Sequence, residues 1–100
     1  MIKKDKSIIE LIEWIKTKIG FDKIGIVDYW DSDLCAIGLK KDNKLVYIST
    51  YNHFDSPKLL VDFDLDITEV GNQENYYVLE EKKNSTKDEL VKEIIRFMNV

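Results

Sequence analysis

Three aspartates alternate with apolar residues near the middle of the chain, at Asp62, Asp64 and Asp66. Successive side chains of a β-strand point to opposite faces, so this alternation places the carboxylates together on one face. A D-x-D-x-D series also begins a calcium-binding loop, which requires glycine at its sixth position and glutamate at its twelfth. Here those positions hold Ile67 and Gln73, so the pattern predicts a strand and no calcium site.

The aspartate row has two interpretations. It can be the solvated face of a strand whose apolar residues, such as Phe63 and Leu65, pack in the core. Like charges on one strand face repel one another unless cations lie beside them, and the neighbouring predicted strands hold few lysines. The second interpretation is an acidic surface that binds a cationic partner, and its principal candidates are Asp62, Asp64 and Asp66.

A second group of acidic and aromatic residues lies in and beside predicted turns. Aromatic side chains next to carboxylates are typical of contact points that bind a basic protein surface. Strand alternation also places Trp30 on the same face as Ile24 and Ile26, which is consistent with a core position for the tryptophan. The predicted secondary contact residues are Asp28, Trp30, Asp31, Asp33, Tyr51 and Asp55.

The only histidine, His53, is the candidate for a general base. A general base needs a group that orients it and a nucleophile within hydrogen-bond reach. Asp55 is a possible orienting group, and the possible nucleophiles are Ser49, Thr50 and Ser56. No spacing favours any of these residues, so we predict a protein without catalysis and keep a small hydrolase around His53 as a minor alternative.

The chain has one cysteine and one histidine, so it lacks the paired thiolates or imidazoles of a zinc site. We therefore predict no metal and no cofactor. Cys35, between Leu34 and Ala36, is expected to pack as a small buried hydrophobic residue. A single cysteine also excludes an internal disulfide, which favours a reducing compartment such as the cytoplasm.

The bulk composition indicates one globular domain. The chain has 100 residues, of which 44% are hydrophobic and 34% are charged, and a single domain over residues 1–100 accounts for that length. Glu10 and Glu13 interrupt the apolar stretch that follows the basic start, so we expect no signal peptide. No segment reaches the roughly 18 apolar residues that cross a membrane.

The charge is distributed unevenly along the chain. The net charge is −4, and residues 1–21 and 82–100 each carry +2, so residues 22–81 carry −8. An acidic centre repels phosphate groups, which argues against a nucleic acid as its partner. The imbalance favours a basic protein partner.

The chain begins with a pattern typical of a helix. Ser7 and Glu10 form a capping box, in which each side chain can accept from the other residue's backbone N–H. Apolar residues then recur at helical spacing as far as Ile19, and Gly20 is suited to the left-handed conformation that ends a helix. We predict a helix over residues 7–19.

The period then changes to that of strands. The predicted strands cover residues 24–30, 34–39, 45–51, 59–67 and 76–80. The connections among the first of them are too short for parallel crossovers, which predicts an antiparallel meander. Thr86 and Glu89 form a second capping box, and apolar residues at helical spacing after it predict a closing helix.

Both helices must bury their apolar stripes, and the apolar face of the sheet is available for this. The predicted fold is a two-layer α+β domain: an N-terminal helix, an antiparallel sheet of about five strands in a meander, and a C-terminal helix, with both helices on one face. In the fourth strand Val61 and Phe63 belong to that face. The opposite face, with the aspartate row, is expected to be solvated.

This order of elements resembles small bacterial immunity proteins, in particular those of contact-dependent growth inhibition and related polymorphic toxin systems. The resemblance covers the first helix, the Ile24–Leu39 hairpin with its Asp-Tyr-Trp-Asp-Ser-Asp turn, the Tyr47–Tyr51 strand, the acidic Val61–Ile67 strand and the closing helix. It implies a cytoplasmic, non-catalytic protein that binds and neutralises a cognate toxin domain. Many such toxins are nucleases, and an acidic inhibitor complements their basic active sites.

The resemblance and the charge distribution lead to the same hypothesis, an immunity protein that binds a basic toxin domain through an acidic surface. The alternative is a small regulatory or structural adaptor. Such an adaptor could form a homodimer by pairing through an exposed edge of its sheet.

Overall fold

The computed structural model describes residues 4–28, 32–53, 60–69 and 72–100. Its elements are α1 (Lys6–Ile19), β1 (Gly25–Val27), β2 (Ala36–Lys41), β3 (Lys44–Ser49), β4 (Val61–Glu69), β5 (Asn72–Ser85) and α2 (Lys87–Met98). The strands form one antiparallel sheet in the order β1-β2-β3-β4-β5. The predicted α+β fold, with a five-stranded meander between two helices, is confirmed.

The largest difference from the predicted elements is the length of β5. Residues 76–80 were the predicted strand, whereas β5 has 14 residues and extends to Ser85. Its second half, Glu80–Ser85, is polar on both faces, so it lacks the alternation that identifies a strand in a sequence. Pairing with β4 supplies the backbone hydrogen bonds that such a segment needs.

One face of the sheet carries the core. Both helices bury an apolar stripe against it, and the helical core residues are Ile8, Leu11, Ile12, Ile15, Leu90, Ile94 and Met98. They pack on strand residues that share this face, among them Leu39, Ile48 and Phe63. Burial of these side chains stabilises the two-layer arrangement, at about 1.5–3 kcal/mol for each large apolar side chain.

The helix N-termini differ in how well their caps were predicted. The box formed by Thr86 and Glu89 is confirmed, with both reciprocal hydrogen bonds present. At α1 the cap is Asp5, whose side chain accepts from the backbone N–H of Ser7, so the prediction of Ser7 as the cap is wrong. Asp5 is an equally favourable capping residue, and it lets the helix begin one residue earlier, at Lys6.

The expectation that the opposite face of the sheet is solvated is wrong for the centre of that face, whereas Asp64 is half-buried and Val78 and Glu81, on the same face of β5, are exposed. Ala36, Leu45 and Asp66 lie on that face, and none of them is exposed to solvent. Part of the cover comes from the chain that follows β3, since Asn52 and His53 fold back onto this face and contact β4. The sheet therefore has a buried centre on both sides.

None of the helices in the described part of the chain is long and apolar enough to cross a membrane.

Candidate functional site

Asp62 is the centre of a buried polar network. Its Oδ1 accepts from the backbone N–H of Asn84 at 2.9 Å and lies 3.2 Å from Nε2 of His53. Its Oδ2 accepts from Nδ2 of Asn52 at 2.9 Å. The carboxylate therefore ties together the turn after β3, strand β4 and the end of β5. Only 4% of the residue is exposed.

The network explains the ionisation of Asp62. Burial by itself raises the pKa of this carboxyl, but the hydrogen bonds from Asn84, Asn52 and His53 outweigh burial and hold its pKa below the ordinary value. The ionised form is thus the one that the fold stabilises. Its hydrogen-bonding capacity is used within the protein, which leaves little of it for a partner.

Nε2 of His53 lies 3.2 Å from Oδ1 of Asp62, whereas Asp55, the predicted orienting group, lies outside the described residues. The histidine and the aspartate are both buried. Ser49 is the cross-strand neighbour of Asp62, but its Oγ accepts from the backbone N–H of Tyr51 and is itself buried. These side chains are buried and hydrogen-bonded within the protein, as in a structural network.

Asp66 lies on the same face of the same strand, in a different environment. Its side chain is completely buried, and neither carboxylate oxygen has a hydrogen-bond partner among the described residues. Its cross-strand neighbours are Leu45 on β3 and Val78 on β5, which offer no polar side-chain group. Burial, with a smaller contribution from the charge of Asp64, raises the pKa of Asp66 to about 7.

Asp64 is the member of the row that remains accessible to solvent in part. It lies between Tyr47 on β3 and Glu81 on β5. Burial and the adjacent Glu81 charge raise its pKa, and Lys83 acts in the opposite direction. Of the three principal candidates, therefore, Asp64 alone is placed where a partner could contact it, and the exposure predicted for Asp62 and Asp66 is wrong.

The acidic turn between β1 and β2 is organised by a buried lysine. The ammonium group of Lys4 lies 2.8 Å from Oδ1 of Asp28 and donates to the backbone oxygen of Asp33 at 2.7 Å. Only 1% of the Lys4 side chain is exposed, whereas about a third of the Asp28 side chain is exposed. The ammonium group of Lys4 thus links Asp28, which follows β1, to Asp33, which precedes β2.

Asp33 and Tyr51 line one open depression on the surface, although they are distant in sequence. The other described residues that line it are Asp5, Ser32, Leu34 and Cys35, and the cavity volume is about 540 Å³. Leu34 and Tyr51 are well exposed, at 55% and 64%. We call this surface the Asp33–Tyr51 pocket.

Among the described residues that line the pocket, two have carboxylates and none is a lysine or an arginine. Asp5 accepts from the backbone N–H and the hydroxyl of Ser7 through Oδ2, and these bonds lower its pKa. Asp33 accepts from the backbone N–H of Cys35 through Oδ1. Each carboxylate is held by one oxygen, and its second oxygen has no described hydrogen bond.

Hydrogen bonds join the segments that carry the pocket residues. The hydroxyl groups of Ser7 and Thr50 lie 2.7 Å apart, which joins the first turn of α1 to the end of β3. The backbone N–H of Asp5 donates to the carbonyl of Leu34 at 2.7 Å. Burial raises the pKa of the Cys35 thiol, and the predicted role of this cysteine as a small buried residue is confirmed.

The predicted contact residues thus fall into three groups. Asp33 and Tyr51 meet in one pocket, and Asp28 is joined to Asp33 through Lys4. Asp62 and Asp66 are buried, with Asp64 half-buried beside them. The candidates that lie outside the described residues are Trp30, Asp31 and Asp55.

Sequence reasoning missed Asp5 and Leu34 as parts of the pocket. Asp5 could have been recognised as a helix cap, because aspartate two residues before Ser7 is favourable there. Leu34 was assigned to the second strand, which begins only at Ala36. The predicted antiparallel pairing of residues 34–39 with 45–51 is the signal that could have placed Leu34 beside Tyr51, and the observed pairing of Ala36 with Ser49 continues in that direction.

No group of three or more His, Cys, Asp or Glu side chains in the described ranges is arranged to hold a metal ion.

Comparison of the chain with protein-family models, with curated proteins and with solved structures finds no match.

Proposed function

We propose that this chain is a cytoplasmic, non-catalytic immunity protein that binds and neutralises a basic bacterial toxin domain of the nuclease type. The Asp33–Tyr51 pocket is the centre of its binding surface and receives a lysine or arginine side chain of the toxin. Asp28 and Asp64 contribute further negative charge nearby.

The observation that carries this proposal is the chemistry of the pocket lining. Asp5 and Asp33 supply negative charge, and Leu34 and Tyr51 supply exposed apolar surface. Arginine and lysine have an apolar stem and a cationic end, so both parts of such a side chain find a matching surface here. A guanidinium group could also stack on the ring of Tyr51.

The rest of the charge distribution supports a basic partner. The side chain of Lys4 is buried, so a partner cannot contact its positive charge. The side chain of Asp28, which pairs with Lys4, remains partly exposed. A surface of one sign attracts a partner of the other and raises the rate of association. His53 and Asp62 are both buried and contact each other, which favours binding over a hydrolase.

The test uses a toxin domain encoded directly beside the gene for this chain. Co-expression with the wild-type chain is expected to protect cells from that domain. The double variant Asp33→Lys/Tyr51→Ala is expected to bind at least about tenfold more weakly, because it reverses the charge and removes the exposed ring. Affinity and its dependence on salt are measured by titration with the purified domain.

Glu13→Lys is the matched control, because it makes the same kind of charge reversal at an exposed position of α1. It should leave the affinity close to that of the wild type. If the double variant binds as tightly as the wild type, the pocket is not the binding site. If the wild-type chain neither binds the toxin domain nor protects the cells, the proposed function is wrong.

A further inference from the structure

The outer edge of the sheet at β5 presents a run of exposed apolar residues. β5 is the last strand in the sheet order, and among the described residues no strand pairs with its outer side. Tyr76, Tyr77, Val78 and Leu79 are all exposed, Tyr77 and Leu79 by more than half. An edge of this kind has backbone N–H and C=O groups that can pair with another strand.

The position of the run within β5 suits pairing with a second copy. β5 extends from Asn72 to Ser85, so its midpoint falls between Val78 and Leu79, inside the apolar run. The pairing of β5 with β4 is irregular beyond Tyr76 and beyond Lys82, and a two-fold axis at this point sets Tyr76–Glu81 of one copy antiparallel to the same residues of the other. The apolar run of one copy then lies against the same run of the other, as an isologous contact requires.

A β-bulge keeps the side chains of the two copies on matching faces. Tyr77 lies opposite Ile67 and Glu80 opposite Leu65, and Ile67 and Leu65 share one face of β4. The register shift between Leu65 and Asp66 makes this possible, because Leu79 is an extra residue in β5. A strand without the bulge would place residues 77 and 80 on opposite faces.

The same register joins tyrosines to glutamates across the axis. Tyr77 faces Glu80 of the second copy on the helix side, and Tyr76 faces Glu81 on the other side. A tyrosine O–H donates to a carboxylate, so the contact of Tyr77 with Glu80 is a favourable charge-assisted pair. Arg96 already holds the Glu80 carboxylate at this edge, with a distance of 3.0 Å between Nη2 and Oε2.

Registers centred in the charged half of β5 are unfavourable. The run Glu80, Glu81, Lys82 and Lys83 is neutral as a whole, but an axis at Glu81 or Lys82 would place that residue against its own copy. Like charges directly opposite one another destabilise a strand pair. The apolar midpoint avoids this contact.

We infer that two copies of this chain pair antiparallel along β5, with the two-fold axis between Val78 and Leu79, and join their sheets into one. The assembly stops at two copies, because the other sheet edge is β1, which has three residues. The Asp33–Tyr51 pocket lies beside β2 and β3, and none of its described lining residues belongs to β5, so pairing along β5 does not use the residues of the pocket.

Sedimentation equilibrium of the full chain, from about 1 to about 100 µM, tests the inference. We expect a reversible dimer. Val78→Lys should raise its dissociation constant at least about tenfold, because it puts two ammonium groups beside the axis. Ile9→Lys is the control, since Ile9 on α1 is exposed to 41% and Val78 to 46%.

The inference fails if the wild-type chain is monomeric throughout, which would be the result if β5 served only a strand of a different protein. It also fails if assembly continues beyond a dimer, or if both variants weaken the dimer equally. Hydrogen–deuterium exchange of the wild type gives a check that needs no variant. Amides of β5 should exchange more slowly at the higher concentration, and amides of β1 should not change.

Discussion

Asp62 and Asp66 lie on the same face of the same strand, yet the structure gives them opposite environments. Asp62 accepts from Asn84 and Asn52 and contacts His53, and these bonds lower its pKa. Asp66 is buried without any described partner, and its pKa is raised to about 7. Two carboxylates that look equivalent in sequence therefore have opposite effects on the stability of the fold.

The difference comes from the groups that surround each carboxylate. Asp62 lies near the start of β4, where the turn after β3 and the irregular pairing at Asn84 supply hydrogen-bond donors. Asp66 also lies beside a register shift in β5, but its cross-strand neighbours Leu45 and Val78 have apolar side chains that supply no donor. Burial alone is thus a poor guide to stability, since its effect depends on the available donors.

The largest expected effect is that of Asp62→Ala. Removing the carboxylate leaves the Asn84 N–H and the side chains of Asn52 and His53 without their acceptor inside the protein. We expect the free energy of unfolding to fall by about 3 kcal/mol at neutral pH, measured by urea denaturation. Asp64→Ala, at the half-buried position between them, should cost less than about 1 kcal/mol. Equal losses at both positions would contradict the network.

Asp66→Asn should have the opposite sign. The folded pKa of Asp66 is about 7 and the unfolded one is near 3.9, so between these values the unfolded chain binds fewer protons. The contribution of Asp66 to the free energy of unfolding is therefore most favourable at low pH. This contribution falls as the pH rises from about 4 to about 7. Above that window asparagine removes the cost of a buried charge.

We expect Asp66→Asn to raise the free energy of unfolding by about 2 kcal/mol at pH 8. This is less than the pKa shift of Asp66 would give by itself, because the buried amide of asparagine also lacks hydrogen-bond partners. At pH 4, where Asp66 is protonated, the variant and the wild type should differ little. Urea unfolding at the two pH values measures both. A variant less stable than the wild type at pH 8 would show that Asp66 has an unrecognised ionic partner.

Asn52→Ala should have the smallest effect. It removes one of the hydrogen bonds to Asp62, and Asn52 is itself exposed, so we expect a loss of about 1 kcal/mol. In the Asp62→Ala background the same substitution should have almost no further effect, because the bond is already absent. Additive losses in this double-mutant cycle would mean that Asn52 acts independently of Asp62.

Local patterns predicted the elements better than they predicted the environment of the site. The stripe of α1, the second capping box and the alternation of β4 all specify secondary structure through contacts within a few residues. The acidic row was assigned correctly to one face but incorrectly to solvent. Alternation reports which side chains share a face, and it carries no information about what covers that face.

The sequence by itself determined the order of elements, the antiparallel meander and the face on which both helices pack, because each follows from hydrophobic period and short connections. Only the tertiary structure decided that Asp33 and Tyr51 share a pocket, that Lys4 lies beneath Asp28, and that Asp62 has donors while Asp66 has none. These outcomes depend on residues far apart in sequence, and the free energy of a buried charge is set by such neighbours rather than by local pattern.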